Sequence, residues 1–264
     1  MSLAQIQSLV LHLTVNPGLL DELEQQPELV GQRFGLTTEE VGFARQMSRP
    51  VLHSFQLQIA NKRMGTRHRE YVKRTTSLFE PKQRAQLMLE FLSKHEMRTN
   101  TWGQKIPDYL DFLSEKLTDS PYAAILQEIP AFEKWLYTCS LQAEPTGSSE
   151  TAGYVLSATV QVHAFPFPAE ELITGNLPME FLVQRHGETG YVLGMWTGTQ
   201  VDLFEIDNSY YELMTRCKEP LSMEELLAVA EEIRVRFQKD RTAQEMVQEL
   251  LEMAILIPIG EVTA

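Results

Sequence analysis

The sequence lacks the residue sets on which several large classes of protein depend. It has only two cysteines, Cys139 and Cys217, which stand far apart and outside any CxxC pair. A disulfide framework or a cysteine zinc site is therefore not expected, and both thiols are predicted to be buried packing residues. No apolar run approaches the ~18 to 20 residues of a membrane helix. Because the N-terminal residues also lack the basic flank and apolar core of a signal peptide, we expect a cytoplasmic protein.

Motifs for catalysis and metal binding are missing as well. The sequence contains no GxSxG, GxGxxG, GxxxxGK(S/T) or HExxH motif. Its six histidines are scattered without the spacing that would gather metal ligands on one face of a helix. We therefore expect a protein that is not an enzyme and that carries no metal or cofactor of its own.

Positive charge is scarce in the second half of the chain. The net charge is -13, and residues 146–264 carry 19 Asp and Glu against 7 Lys and Arg, whereas residues 1–145 carry 17 against 16. DNA binding depends on neutralising phosphates with Lys and Arg, so an acidic module of this kind repels a duplex. The balance suits a basic or neutral peptide partner better.

The last third of the chain is typical of a winged-helix module. Three short strands are predicted, separated by glycine-containing turns: Glu180–Arg185, Tyr191–Trp196 and Gln200–Ile206. Three helices are predicted to follow: Ser209–Cys217 and two that begin with capping boxes at Ser222 and Thr242. The closing apolar segment Ala254–Ile259 is predicted to return as a strand.

The first half is predicted to be helical. Asn16-Pro17, Pro27 and Thr37 with Glu40 give helix starts, Gly65 interrupts a long helical pattern over 51–77, and Pro130 is predicted to kink or break a helix over 120–143. The polar stretch 144–152 has the composition of a linker. We therefore predict an α+β protein with an all-α domain over 1–145, of which 1–50 is a possible extra helical segment, followed by a winged-helix-like domain over 153–264.

Between the linker and that module, the alternation of Tyr154–Val162 predicts one half-buried strand. Phe165-Pro166-Phe167-Pro168 is expected to end it, and Ala169–Ile173 to form one helical turn before the later strands.

A peptide site is predicted in the second domain by strand addition. If the strand at 201–206 lies at a sheet edge, it offers unpaired backbone groups to an extended peptide, and the last helix forms the other wall. The residues assigned to this site are Val201, Leu203, Phe204, Glu205, Ile206, Met246, Leu250 and Met253. The alternative is that these apolar residues form only hydrophobic core.

A basic run over 62–74 stands out in an acidic protein and has two interpretations. It is either a docking patch for an acidic partner, or a solvated helix face with intramolecular partners. The aromatic residues near 102–137 are either core or an exposed interface. The residues assigned to partner docking are Arg67, Arg69, Tyr71, Trp102 and Tyr109.

Two stretches carry a resemblance to a known family. His95–Leu113 (HEMRTNTWGQKIPDYLDFL), with Ser120-Pro121-Tyr122 and the helix through Phe132, Glu133 and Trp135, resembles the helical domain of the partner subunits of multinuclear non-haem iron enzymes. Those subunits serve in the maturation of ribosomally made peptide natural products, including methanobactin-type pathways.

The second stretch is similar to the leader-peptide recognition domain of the same family. It comprises Leu156–Val162 (LSATVQV), Phe165-Pro166 and Met179–Arg185 (MEFLVQR), and the likeness as a whole covers about residues 50–259. The first fifty residues differ from the family, whose N-terminal segment is expected to be shorter. The resemblance implies that iron and the oxidative step belong to a separate enzyme chain, with which this chain forms a heterodimer.

The sequence thus predicts a non-catalytic partner protein that binds a precursor peptide by strand addition and presents it to an iron-dependent peptide-modifying oxygenase. No nucleic acid or membrane is expected as a partner. The alternative is a winged-helix regulator that binds nucleic acid, through the run over 62–74 rather than the acidic module.

Overall fold

The computed structural model describes residues 3–95, 102–141, 153–175, 179–185 and 187–259. The chain divides into two compact units, Met1–Ala123 and Ala124–Ala264. The predicted linker at 144–152 lies outside the described residues. It also lies later in the chain than this division, because the last helix before it packs on strands of the second unit.

The described part of the first unit is helical. Its helices are α1 (Leu3–Leu13), α2 (Pro17–Gln25), α3 (Pro27–Phe34), α4 (Thr38–Arg45), α5 (Arg49–Arg69), α6 (Lys73–Ser77), α7 (Pro81–Lys94) and α8 (Trp102–Glu115). The short helix α9 (Ala123–Leu126) spans the division between the units.

Local sequence signals set the first helices, as predicted. Asn16 accepts a hydrogen bond from the Leu19 amide and Pro17 opens α2, where the missing N–H of proline costs nothing. Thr37 and Glu40 form a complete capping box at the start of α4. Helices α1 to α4 enclose a core whose fully buried members include Leu9, Leu13 and Leu23.

The predicted interruption at Gly65 is present as a kink inside α5. Gly65 has φ 65° and ψ 175°, a conformation that is open to glycine and strained for other residues. The helical pattern predicted over 51–77 thus contains the kink at Gly65 and, at residues 70–72, a separate break between α5 and the short helix α6.

A cluster of aromatic rings forms the other core of the first unit. Phe91 is fully buried, and its ring centroid lies 4.9 Å from that of Tyr109, 5.6 Å from Phe112 and 6.1 Å from Trp102. These rings come from α7 and α8, so their stacking fixes the two helices against each other.

The described part of the second unit combines helices with two small antiparallel sheets. Its remaining elements are α10 (Glu128–Cys139), β1 (Gly153–Leu156), β2 (Val160–Phe165), α11 (Ala169–Thr174), α12 (Met179–Gln184), β3 (Gly190–Trp196), β4 (Val201–Ile206), α13 (Asn208–Arg216), α14 (Met223–Arg236), α15 (Ala243–Glu252) and β5 (Leu256–Ile259). The predicted α+β class is correct, with the helices concentrated in the N-terminal part.

The two sheets share no strand. β1 pairs with β5, and the other sheet has the order β2-β3-β4. Helix α13 packs on β2 and β3 and contributes the buried Leu213 and Met214 to a core with Leu193, while α10 packs on the same two strands and α11 packs on β3 and β4. The hairpin, the three following helices and the closing strand thus appear in the predicted order.

The strand predicted at Glu180–Arg185 is wrong. Residues Met179–Gln184 form the helix α12, in which Leu182 is fully buried. Glu, Leu and Gln are strong helix formers, and a six-residue apolar segment does not distinguish a strand from a helix by its periodicity.

The single strand predicted over Tyr154–Val162 is also wrong. A turn divides it into β1 and β2, which belong to different sheets. The Val160 amide donates to the Ser157 carbonyl at 2.9 Å, and the Ser157 hydroxyl is buried and bonds with the Thr159 hydroxyl at 2.9 Å. Serine and threonine favour turns because their hydroxyls bond locally, and this outweighed the alternating pattern.

Pro130 does not kink a helix. The helix predicted over 120–143 is instead broken at Gln127, between α9 and α10, and Pro130 lies in the first turn of α10. A proline there removes no intrahelical hydrogen bond, because the first amides of a helix have no partner in it.

Candidate functional site

Strand β4 lies at the edge of its sheet, which is the condition that strand addition requires. It pairs with β3 in a register that runs from Tyr191–Ile206 to Trp196–Val201, and no described strand pairs with its outer side. The connecting turn is closed by the Thr197 amide, which donates to the Gln200 carbonyl at 3.0 Å, and Gly198 adopts φ 89° there. The hairpin turn therefore fixes the register of the edge strand.

The register also shows which backbone groups of β4 point outward. The Trp196 amide donates to Thr159 on the β2 side at 2.8 Å, so the Trp196–Val201 pair is not joined by backbone hydrogen bonds. Bonded and non-bonded pairs alternate along an antiparallel ladder. Amides and carbonyls of Val201, Leu203 and Glu205 therefore face the open edge, while those of the alternate residues bond to β3.

A cleft of about 560 Å³ lies beside this strand. It runs between β4, the start of α13 and helix α15. Its lining residues are Leu193, Phe204, Glu205, Ile206, Asp207, Tyr210, Met214, Lys239, Asp240, Arg241, Met246, Glu249, Leu250, Met253 and Ile255. Six of the eight residues assigned to the peptide site from sequence are thereby brought together.

The two assigned residues that do not line the cleft are Val201 and Leu203. Cross-strand partners share one face of a sheet, so Phe204 and Ile206 lie on the face of Leu193 and Tyr191, toward the helical core. Val201 and Leu203 alternate to the opposite face, where Val201 lies close to Gly194. Val201 and Leu203 therefore do not line the cleft, although they belong to the strand that borders it.

The floor of the cleft is apolar and only its margin is exposed. Met246 and Leu250 are 1% and 2% exposed, whereas Phe204 and Met253 are 38% and 43% exposed. The hydrophobic-core alternative is thus correct for Met246 and Leu250, which also belong to the core of this unit. Phe204 and Met253 remain available for contact with a ligand.

Polar residues at the margin are linked to one another. The Tyr210 hydroxyl donates to the Glu249 carboxylate, and Arg241 donates to both groups, at 2.9 Å to the hydroxyl. Burial, together with the bond to Glu249, raises the pKa of Tyr210 to about 12. The phenol therefore stays protonated at neutral pH and orients the carboxylate, and this bond joins α13 to α15 at the cleft.

Asp207 also lines the cleft. It is the N-cap of α13, accepting from the amides of Ser209 at 2.8 Å and Tyr210 at 3.1 Å, and Lys239 donates to its second oxygen at 2.7 Å. Burial alone raises the pKa of Asp207, but the bonds from Lys239, Ser209 and Tyr210 together hold it below the usual value of 3.8.

We expect Asp207→Ala to lower the free energy of unfolding by about 1 to 2 kcal/mol at pH 7, because the helix loses its cap. A lowered folded pKa means that this contribution is complete above the unfolded pKa and is lost as the pH falls through the folded value. Urea denaturation of both proteins at pH 7 and near pH 3 measures this. If the difference in free energy of unfolding between the two proteins does not shrink at the lower pH, the ionised Asp207 carboxylate is not what stabilises the helix.

These polar residues were not assigned to a site from sequence. The sequence predicts a helix over Ser209–Cys217 but does not single out Asp207, Tyr210, Lys239 or Glu249 as site residues. One signal was available for Glu249, which lies three residues after Met246 and so shares its helix face. The others come from separate elements, and only the packing of α13 against α15 brings them together.

The assigned docking residues are divided between surface and core. Arg67 and Arg69 are exposed, whereas Tyr71, Trp102 and Tyr109 are 5%, 1% and 1% exposed. The three aromatic side chains are therefore core residues, and their burial removes them from a docking surface. Of the other aromatic residues considered, Tyr137 is buried and Tyr122 is 46% exposed.

The two cysteines are buried, as predicted. Burial raises the pKa of the Cys139 thiol to about 12 and that of Cys217 to about 11. Among the described residues, no group of three or more His, Cys, Asp or Glu side chains has the geometry to hold a metal ion.

We expect neither thiol to react with Ellman's reagent at pH 8 in the folded protein, because the thiolate is the reactive form. Both should react once the protein is unfolded in guanidinium chloride. The measurement is the rate of absorbance change with and without denaturant, and rapid release of one equivalent by the native protein would contradict the burial of these thiols.

Comparison of the chain with known protein families gives no match, and comparison with curated proteins gives none at a significant level. No described helix is both long enough and apolar enough to cross a membrane.

Proposed function

We propose that this chain is a non-catalytic partner protein that binds a precursor peptide as an added strand along β4. The observation that carries the proposal is one juxtaposition. Val201, Leu203 and Glu205 present outward backbone groups on a strand whose residues 204–206 line an apolar cleft, and Phe204 and Met253 of that cleft are exposed.

Each part of this arrangement supplies one component of peptide recognition. A peptide main chain pairs with the outward amides and carbonyls and gains affinity without regard to sequence. Its alternate side chains then enter the cleft and contact the exposed Phe204 and Met253, which selects apolar residues. The linked groups of Tyr210, Arg241 and Glu249 also line the cleft and supply polar groups to it.

Charge supports a peptide rather than a nucleic acid as the ligand. The cleft belongs to the part of the chain in which 19 acidic residues face 7 basic ones over 146–264. At the margin of the cleft, Lys239 and Arg241 are already paired with Asp207 and Glu249. Phosphate groups would therefore meet repulsion without free cations to offset it.

The bound peptide would be presented to a separate enzyme that carries the iron. This part of the proposal rests on the resemblance of His95–Leu113 to the helical domain of partner subunits of multinuclear iron oxygenases, and on that of Leu156–Val162, Phe165-Pro166 and Met179–Arg185 to their leader-peptide recognition domain. Residues 96–101 of the resembling stretch lie outside the described residues. The chemical gain would be proximity and orientation of the modified residue.

Co-expression of the chain with the reading frames adjacent to its own gene tests this function. The expected result is a complex in which an iron-bearing enzyme chain and a short peptide co-purify with the tagged chain. Neither should be recovered when the tagged chain is omitted from the co-expression. A tagged chain that purifies without either would contradict the proposal. Binding to duplex DNA that weakens steeply with salt would favour the nucleic-acid alternative instead.

A further inference from the structure

A second cleft, of about 460 Å³, lies wholly within the first unit. It is bounded by the end of α5, the turn after it, α6, α7 and one residue of α8. Its lining residues are Leu57, Asn61, Met64, Arg69, Glu70, Val72, Lys73, Thr76, Pro81, Arg84, Ala85, Met88 and Tyr109. None of these residues belongs to the proposed peptide site.

The floor of this cleft is apolar and firmly packed. Met64, Val72 and Met88 are 2%, 3% and 8% exposed, and Tyr109 is 1% exposed. The Tyr109 ring packs edge-on against Trp102 with centroids 5.8 Å apart, within the aromatic core of this unit. The floor therefore keeps its shape when the cleft is empty, as small-molecule sites generally do.

The rim is cationic, and backbone carbonyls hold its arginines. Arg69 donates to the Asn61 carbonyl at 2.7 Å, across the kink at Gly65, and Arg84 donates through Nε to the Phe79 carbonyl at 2.7 Å. Neither guanidinium forms an ion pair with a carboxylate in the described parts of the chain. Each has five N–H donors, so donors remain for a ligand.

A third cation, Lys73, stands at the same rim. Its ammonium lies 3.8 Å from the carboxylate of Glu70, and both side chains are largely exposed, at 71% and 61%. An exposed pair at this distance is weak. The rim therefore carries three cations against one loosely paired carboxylate, in a protein whose net charge is -13.

We propose that this cleft binds a small organic anion with an apolar body, of the class of medium-chain carboxylates. The carboxylate pairs with the guanidinium groups of Arg69 and Arg84, whose planar donor sets match its two oxygens. The apolar chain lies on Met64 and Met88. The volume is that of a small-molecule site, and the proposal does not depend on peptide binding by the second unit.

The test is calorimetric titration of the full chain with octanoate and with octan-1-ol, which has the same chain length and no charge. Octanoate is expected to bind saturably, and octan-1-ol at least about tenfold more weakly. Equal affinities, or no saturable binding of octanoate, would overturn the proposal. Displacement of octanoate by an acidic peptide at lower concentration than octanoate itself requires would also overturn it, in favour of a protein-docking surface.

Three variants locate the site. Arg69→Gln and Arg84→Gln, on different helices, are each expected to weaken octanoate binding about tenfold and to leave octan-1-ol binding unchanged. Lys82→Gln is the matched control, because Lys82 is an exposed cation on α7 that does not line the cleft. An equal loss in the control, or no loss in either arginine variant that retains the wild-type circular dichroism spectrum, would place the ligand elsewhere.

Discussion

A Leu203→Pro variant is expected to lose affinity for the peptide by about tenfold to hundredfold while remaining folded. The Leu203 amide faces the open edge of β4, so proline removes a donor that a bound strand needs and places its ring in the path of that strand. One lost hydrogen bond and the accompanying clash correspond to about 1.4 to 3 kcal/mol. Edge strands tolerate proline where the amide faces outward.

Two further variants are the controls for this result. Leu203→Val keeps the amide and changes only a side chain outside the cleft, so its affinity should stay within about twofold of the wild type. Phe204→Pro removes an amide that bonds to β3, so it should damage the sheet itself and is not a clean test of binding. Wild-type affinity in the folded Leu203→Pro protein, measured by fluorescence polarisation of a labelled peptide, would eliminate strand addition.

Gly190→Ala is expected to lower the free energy of unfolding by about 3 kcal/mol or more, at the upper end of what overpacking costs. Gly190 begins β3, and a Cβ there would overlap the Phe167 carbonyl oxygen and the Ala169 amide nitrogen. These are backbone atoms of the segment that enters α11, so they cannot move aside as a flexible side chain would. The midpoint of urea denaturation measures the effect.

Gly42→Ala is the matched control for this substitution. Gly42 lies inside α4, and an added Cβ there meets no atom within 4 Å. Alanine is the better helix former by up to about 1 kcal/mol, so this variant should be neutral or slightly more stable. A Gly190→Ala protein as stable as wild type would contradict the close approach of β3 to the Phe167–Ala169 backbone.

Local chemistry made most of the fold predictable. Capping boxes at Thr37, Ser222 and Thr242 mark helix starts that the structure reproduces, since each is a short-range pairing of a hydroxyl and a carboxylate. Predictions failed where an apolar pattern was short. Met179–Gln184 is a helix and Tyr154–Val162 is two strands, because packing and the turn at Ser157 decided between patterns that the sequence left equivalent.

The candidate site could be predicted in its location and only partly in its detail. A strand and an amphipathic last helix are visible in sequence, and they supply Phe204, Ile206, Met246, Leu250 and Met253 to the cleft, whereas the position of the strand at the sheet edge is known only from the fold. The outward direction of the backbone groups depends on the hairpin register, which follows from the turn and the pairing with β2. No pattern in the sequence carries that information.

The cationic cleft shows the same limit. The sequence shows the basic run over 62–74. It does not show that Arg69 and Lys73 are the cations of that run that line the cleft, together with Arg84 from another helix. Contacts between residues of distant helices arise from packing, which a one-dimensional pattern does not record.

Amide hydrogen exchange at single-residue resolution tests the central claim most directly. In the free protein, the amides of Val201, Leu203 and Glu205 should exchange quickly, and those of Asp202, Phe204 and Ile206 slowly, because only the second set bonds to β3. Adding the peptide recovered by co-expression should slow the first set by at least about tenfold. If the peptide binds and these three amides still exchange at their original rates, it does not add a strand to β4.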